Sequence, residues 1–319
     1  MIEVLLACSL LQAPLALTGD KTGAWFIGDI SPTQATFSGL PLDVDFELCE
    51  RVSREEYEVL QLFTRRPLAI ALDKKTVWYI DRANGVGLYR LQLSVHTKSV
   101  LHPSTLEAFI ETANEPTDFL LLDGLPTLAL GDLQNDVLTV SQFRDRKWEP
   151  LPLLQGKHAR IAQIQGQLIA VVPSDTGGVM WTLKEGSWQE GDAFTYEGKL
   201  VQLLSHEDWP ILVTSQNGNI TLRGIRRGGL VEIASFATPK GRWGVSSSTG
   251  GITVIGVQRK GIITLIDIGW PSGSVSAPII LNERKKAGSS VVTTLLFVSM
   301  VAVSLFLILR IRATVQKPA

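Results

Sequence analysis

The sequence reads as an all-β protein followed by one C-terminal membrane-spanning helix. Three observations carry that reading: strand-length apolar runs separated by Gly, Asn and Asp turns, a motif that recurs along the chain, and an uncharged apolar stretch near the C-terminus. From Ala287 to Leu309 no residue is charged, and Val291–Leu309 is apolar except for Thr293, Thr294, Ser299 and Ser304. At about 1.5 Å per residue such a run covers the roughly 30 Å hydrocarbon core of a bilayer. It is assigned as a transmembrane helix over 287–309, with a short tail at 310–319.

The rest of the chain is within the range of one large all-β domain. Lys and Arg total 30 against 31 Asp and Glu, a net charge of −1, so there is no basic face to displace counterions from phosphates and nucleic acid is not an expected partner. The only cysteines are Cys8 and Cys49, too few for a disulfide framework once Cys8 is assigned to a leader.

The N-terminus carries a short apolar run, Val4 to Leu11, followed by Gln12 and Ala13. It resembles the hydrophobic core and cleavage site of an export signal, which places a signal peptide at 1–13. Glu3 and the missing basic residues depart from that pattern, and a buried first strand is the alternative; the few residues before Cys8 leave no room for a lipid anchor.

The repeat comes next. Pro14–Ile27 and Pro67–Ile80 align without a gap, matching Leu17 with Ile70, Asp20 with Asp73, Lys21 with Lys74, and Trp25 with Trp78. Weaker copies follow at Pro126–Val140, Leu168–Leu183, Pro210–Leu222 and Ile252–Leu265, each an apolar strand, a polar turn and a second apolar strand. Asn217-Gly218 and Gly177-Gly178 tolerate the positive φ that tight hairpins need, so each copy is a β-hairpin. Second strands fall near Leu138, Met180, Ile220 and Ile263, about 40 residues apart, the length of a four-stranded propeller blade. Outer strands are expected around Arg160–Ile164, Ser187–Phe194, Leu200–Ser205 and Leu230–Phe236. The architecture expected over 14–282 is therefore a β-propeller of six or seven blades, with Pro14–Leu17 pairing within or next to the last blade.

The first two repeat intervals are longer. Capping boxes at Ser53-Arg54-Glu55-Glu56 and Ser104-Thr105-Leu106-Glu107 predict two short helical insertions, over Tyr57–Phe63 and Ala108–Ala113. The tryptophans, Trp25 through Trp270, are read as packing between blades, since wedge-shaped sheets need large apolar side chains between them.

The repeat resembles the blade of bacterial β-propellers of the quinoprotein-like group, in which an Asp and a Gly precede a docking Trp. Asp73, Thr76 and Trp78 echo that turn, as do Asp20, Thr22, Gly23 and Trp25, and Asp175, Gly177 and Trp181. The spacing departs from the pattern in every copy, so the resemblance implies a blade and carries over no quinone cofactor.

Catalytic signatures are not found in the sequence. His96, His102, His158 and His206 lie in different repeats without metal-ligand spacing, and no P-loop, nucleophile elbow or dinucleotide fingerprint occurs. The triplet His206-Glu207-Asp208, beside Trp209, reads as a solvated turn. Ser246–Gly251 reads as a blade-to-blade loop, and the sequon Asn219-Ile220-Thr221 is uninformative. No catalytic, cofactor-binding or metal-binding residue is assigned.

Arg284, Lys285 and Lys286 precede the span while Arg310, Arg312 and Lys317 follow it, so the positive-inside rule gives a tie. Orientation then follows the leader: export puts the propeller outside the cytoplasm, whereas an uncleaved first strand makes a tail-anchored cytosolic propeller. The expected function is a single-pass, membrane-anchored extracytoplasmic propeller that binds a protein or envelope component. The alternative is a propeller enzyme, a hydrolase or lyase, with its site at the central channel.

Overall fold

In the computed structural model, residues 17–283 are described apart from 20–23, 38–39, 52–54, 64–66, 74–75, 83–84, 93–103, 133, 227–228, 249–250 and 259–261, and side-chain packing is described within 67–281. The expected signal at 1–13, the span at 287–309 and the tail at 310–319 lie outside the described residues, as do His96 and His102.

The described chain is all-β and is built from consecutive four-stranded antiparallel meanders. The first holds β1 (Leu17–Gly19), β2 (Ala24–Phe37), β3 (Leu40–Arg51) and β4 (Glu56–Phe63). The second holds β5 (Ala69–Asp73), β6 (Thr76–Arg82), β7 (Val86–Gln92) and β8 (Thr105–Ile110). The third holds β9 (Glu115–Leu122), β10 (Leu125–Asp132), β11 (Val137–Arg144) and β12 (Lys147–Pro150), with the short β13 (Leu154–Gln155) also on β11. The fourth holds β14 (Arg160–Ile164), β15 (Gln167–Ser174), β16 (Gly177–Lys184) and β17 (Ser187–Thr195). The fifth holds β18 (Lys199–His206), β19 (Trp209–Gln216), β20 (Asn219–Arg226) and β21 (Gly229–Ala237). The sixth holds β22 (Arg242–Ser248), β23 (Gly251–Val257), β24 (Ile263–Gly269) and β25 (Ile279–Glu283).

The first strands of the meanders adjoin one another in the closed order β1, β5, β9, β14, β18, β22 and back to β1, which makes the fold a propeller. Counted as hydrogen-bonded sheets it has five blades, not the six or seven expected. The difference is physical: the outer strands β4 and β25 pair edge to edge and fuse the first and last meanders into one eight-stranded sheet. Of the expected Pro14–Leu17 strand, residues 14–16 lie outside the described residues; Leu17 begins β1, which pairs with β2 and lies beside β22 of the last meander.

The six sequence copies are all hairpins, but they are not all the same hairpin. Those at Pro14 and Pro67 are β1–β2 and β5–β6, the first pair of their meanders, whereas the later four are β10–β11, β15–β16, β19–β20 and β23–β24, the second pair. Of the expected outer strands, Ser187–Phe194 and Leu230–Phe236 are indeed outermost, while Arg160–Ile164 and Leu200–Ser205 fall in the innermost strands β14 and β18. Ser246–Gly251 is the β22–β23 hairpin inside a meander and not a loop between blades, because Ser248 pairs with Gly251.

Neither expected helix forms. Glu56–Phe63 is β4, paired along β3, and Thr105–Ile110 is β8, paired along β7. A capping box satisfies a few backbone groups locally, but these segments carry Tyr, Val, Thr, Phe and Ile, and a waiting sheet edge offers every residue a ladder partner. Gly177 and Gly178 likewise begin β16 instead of making its turn, and a Cβ on Gly177 would collide with the Phe194 carbonyl oxygen of β17.

The core lies in wedge-shaped layers between successive meanders. One layer packs Ile80, Val86 and Leu88 against Phe119, Leu128 and Leu130. Others join the third meander to the fourth, the fourth to the fifth and the fifth to the sixth. The second strands β10 and β23 are buried on both faces, so apolar residues fill them apart from the buried Thr127 and Thr253 and the end residue Asp132, while the outer β17 is exposed along most of its length. Apart from Trp25, whose side chain lies outside the described residues, the tryptophans sit where expected: Trp78 meets Phe143 of the next meander at 6.3 Å, Trp148 packs on the same layer, Trp181 and Trp188 flank the layer between the third and fourth meanders, and Trp209, Trp243 and Trp270 that between the fifth and sixth.

Candidate functional site

The fifth and sixth meanders meet in a corner that concentrates aromatic and charged groups. His206 ends β18 and pairs across a two-residue turn with Trp209, the first residue of β19; Arg226 ends β20, and Trp270 directly follows β24 and is joined to Pro271 by a cis peptide. Strand ends at one rim thus bring three residues of the fifth meander together with Trp270 of the sixth.

His206 is only 3 % exposed, so it is not part of a solvated turn as expected; only Glu207 and Asp208 are exposed there. Its Nδ1 lies 2.8 Å from the Ser247 hydroxyl of the sixth meander, and its ring meets Trp270 edge-on at 4.8 Å. Nε2 is buried with no hydrogen-bond partner among the described residues. Burial holds the imidazole below its ordinary value, against the opposing pull of Glu207, so His206 is neutral at neutral pH. Trp209 stands edge-on to Trp270 at 5.1 Å, and the Arg226 guanidinium lies over the Trp209 ring at 3.7 Å. Gly224 makes room for that indole, since a Cβ there would sit 2.9 Å from its ring. The result is a half-buried aromatic corner with one exposed cation stacked on it and two exposed carboxylates beside it.

The turn that carries those carboxylates puts side chains in both left-handed positions, as the β11–β12 turn Asp145-Arg146 also does. The matching turns of the third and fourth meanders are Asp123-Gly124 and Gln165-Gly166, with a glycine in the second left-handed position; here Glu207 (φ 44°) is followed by Asp208 (φ 67°). Holding a side chain in that region costs free energy, and such strain gathers at functional sites. Asp208→Gly is expected to stabilise the protein by about 0.5–1 kcal/mol in urea denaturation. Unchanged or lower stability would show that Asp208 makes a contact outweighing the strain.

A second polar constellation bridges the third and fourth meanders. Asp118 of the inner strand β9 accepts the Ile161 amide at 3.0 Å and lies 3.9 Å from the Arg160 guanidinium, which also donates to the Thr117 carbonyl. Burial pushes the Asp118 carboxyl up to about 7, outweighing Arg160 and the amide. Similar bridges recur around the ring, with Gln163 donating to Asp123 at 3.2 Å and Gln202 to the Val245 carbonyl at 3.0 Å. His158 is exposed on the β13–β14 connection and joins neither constellation. Among the described residues, no group of three His, Cys, Asp or Glu side chains is placed to hold a metal ion.

One sequence signal pointed to the buried histidine. His206 continues the alternation of β18, two residues after buried Leu204, so its parity faces the sixth meander. Nothing in the sequence places Arg226 or Trp270 beside it, because their meeting depends on how two meanders pack.

No family model and no curated protein matches the sequence. Solved structures do match in fold. The chain resembles AofleA from Arthrobotrys oligospora, at 12 % identity and TM-score 0.56 over 87 % of this chain and 92 % of that one. It also resembles the PQQ-bound aldose sugar dehydrogenase of Streptomyces coelicolor, at 10 % identity and TM-score 0.51 over 79 % and 90 %. A luciferin-regenerating enzyme matches at 10 % identity and TM-score 0.51 over 77 % and 84 %. At such identities these likenesses establish the β-propeller fold, with a quinoprotein among the structural neighbours as the blade motif implied.

Proposed function

We propose that the chain is a membrane-anchored, extracytoplasmic β-propeller that works as a binding module, using the rim of the fifth and sixth meanders to engage a protein or another envelope component. The observation that carries this reading is the Arg226 guanidinium stacked at 3.7 Å on Trp209, beside Trp270, at an exposed rim. Trp and Arg are the residue types that dominate binding energy at interfaces, and a stacked, partly desolvated cation contributes more than one free in water. The apolar runs 4–11 and 287–309 support the placement, with the propeller exported and held at the bilayer.

A second reading, a propeller enzyme with its site at the channel, draws on Asp118, an inner-strand carboxyl pushed up to about 7 and so able to exchange a proton near neutrality. The test compares wild type with Arg226→Ala, a change at an exposed side chain, by in-membrane cross-linking. Capture of a defined envelope component that falls about tenfold in the variant, at unchanged melting temperature, supports the binding module. Equal capture overturns it. Protease treatment of intact cells and spheroplasts checks the side: the propeller should be digested from outside.

A further inference from the structure

Resting on the binding-module reading, we infer that Arg226 is the group that reads the partner, and that it reads a single Asp or Glu carboxylate of a protein partner with a basic side chain next to it. The inference starts from what Arg226 does and does not touch. Its guanidinium carbon lies over the Trp209 ring, 3.7 Å from the centroid, too close for an N–H to point into the ring, so the guanidinium plane lies along the indole. In that pose the N–H donors, which all lie in the guanidinium plane, point along the ring surface and outward, away from the indole. Among the described residues they meet no acceptor: the ion pairs recorded there belong to Arg90, Lys157, Arg160 and Arg223.

Arg223 makes the contrast within one strand. Three residues earlier on β20, it is largely buried, donates to Thr214 at 2.7 Å and lies 3.9 Å from Glu232. Its charge is spent inside the fold. Arg226 is exposed and held flat by stacking, so an incoming carboxylate finds a pre-oriented fork and loses less side-chain entropy in binding it.

The surroundings select among anions. Glu207 and Asp208 are exposed on the turn that immediately precedes Trp209, so two negative charges share the rim with the stacked cation. A phosphate dianion or a run of acids would be repelled by them. An acid beside a lysine or arginine complements both signs, with the acid on Arg226 and the base toward Glu207 and Asp208. The strained Asp208 backbone holds one of those acids where the third and fourth meanders place glycine.

The test uses the full chain in detergent and the peptide acetyl-Glu-Lys-amide as probe, followed by the indole N–H signal that Trp209→Phe removes. The expected result is a saturable shift of that signal, lost by about tenfold or more when the probe is acetyl-Gln-Lys-amide and abolished in Arg226→Ala. Arg226→Lys, which keeps the charge but not the fork or the stack, should weaken binding about tenfold. Replacing Glu207 and Asp208 by Gln and Asn should weaken the Glu-Lys probe yet strengthen acetyl-glutamate-amide, which has no cation. Equal binding of the Gln probe, a Lys variant as good as wild type, or tighter binding of inorganic phosphate or glucuronate than of the peptide would each overturn the assignment. If Arg226→Ala abolishes cross-linking in membranes while the peptide fails to bind, the binding module stands and this inference falls; if cross-linking is untouched, both fall.

Discussion

Leu222→Ala is expected to lower stability by about 2–5 kcal/mol, seen as a fall in melting temperature of about 5–15 °C. Leu222 is fully buried in the layer between the fifth and sixth meanders, among Leu204, Ile211, Val213, Val254 and Ile266. Most of these neighbours sit on strands fixed by ladders on both sides, so they cannot close in on the space left by the removed atoms, and the cavity cost adds to the lost burial. Leu153, 65 % exposed, is the control, since its truncation should change little. A fall below about 2 °C at Leu222 would mean that the layer collapses around the gap and that the two meanders are not rigidly wedged.

The second large effect is a pH dependence centred on Asp118. Its carboxyl is raised from 3.8 to about 7 by burial, so between those values the folded protein keeps a proton that the unfolded chain releases. The contribution is therefore fully present below about 4 and is lost as pH rises toward about 7, with a slope of at most about 1.4 kcal/mol per pH unit. Asp118→Asn mimics the protonated acid, keeps an acceptor for the Ile161 amide, and should remove that slope in urea denaturation between pH 5 and 7.5. Asp118→Ala should cost about 1–3 kcal/mol at neutral pH, because it leaves the buried Ile161 amide without its acceptor. His206 works in the other direction: its lowered value makes stability present above about 6.5 and lost as pH falls. His206→Gln measured alongside separates the two. A wild-type profile unchanged by Asp118→Asn would show that Asp118 is ionised and paired throughout.

The pattern of the chain exposed much of this fold and little of its site. Every hairpin read from the repeats exists, because alternation and Gly or Asn turns act over a few residues and the sheet amplifies them. Phase was harder to read. The Pro14 and Pro67 copies match the later ones in hairpin chemistry although they occupy a different place in the meander, since a first and a second hairpin obey the same local rules. The segments after Ser53 and Ser104 carry a real helix-start signal that long-range pairing overrides. The corner of His206, Trp209, Arg226 and Trp270 assembles only when two meanders dock, and no linear spacing encodes that meeting.

The β4–β25 pairing has a kinetic consequence. Each meander forms from contacts between neighbours in the chain, but this pair joins opposite ends of the described chain, and the entropy of closing so long a loop must be met before its ladder bonds form. Ring closure should thus be the late event of folding, with the inner meanders acquiring amide protection first and β4 and β25 last. The same seam should be the first to exchange when the native ring breathes.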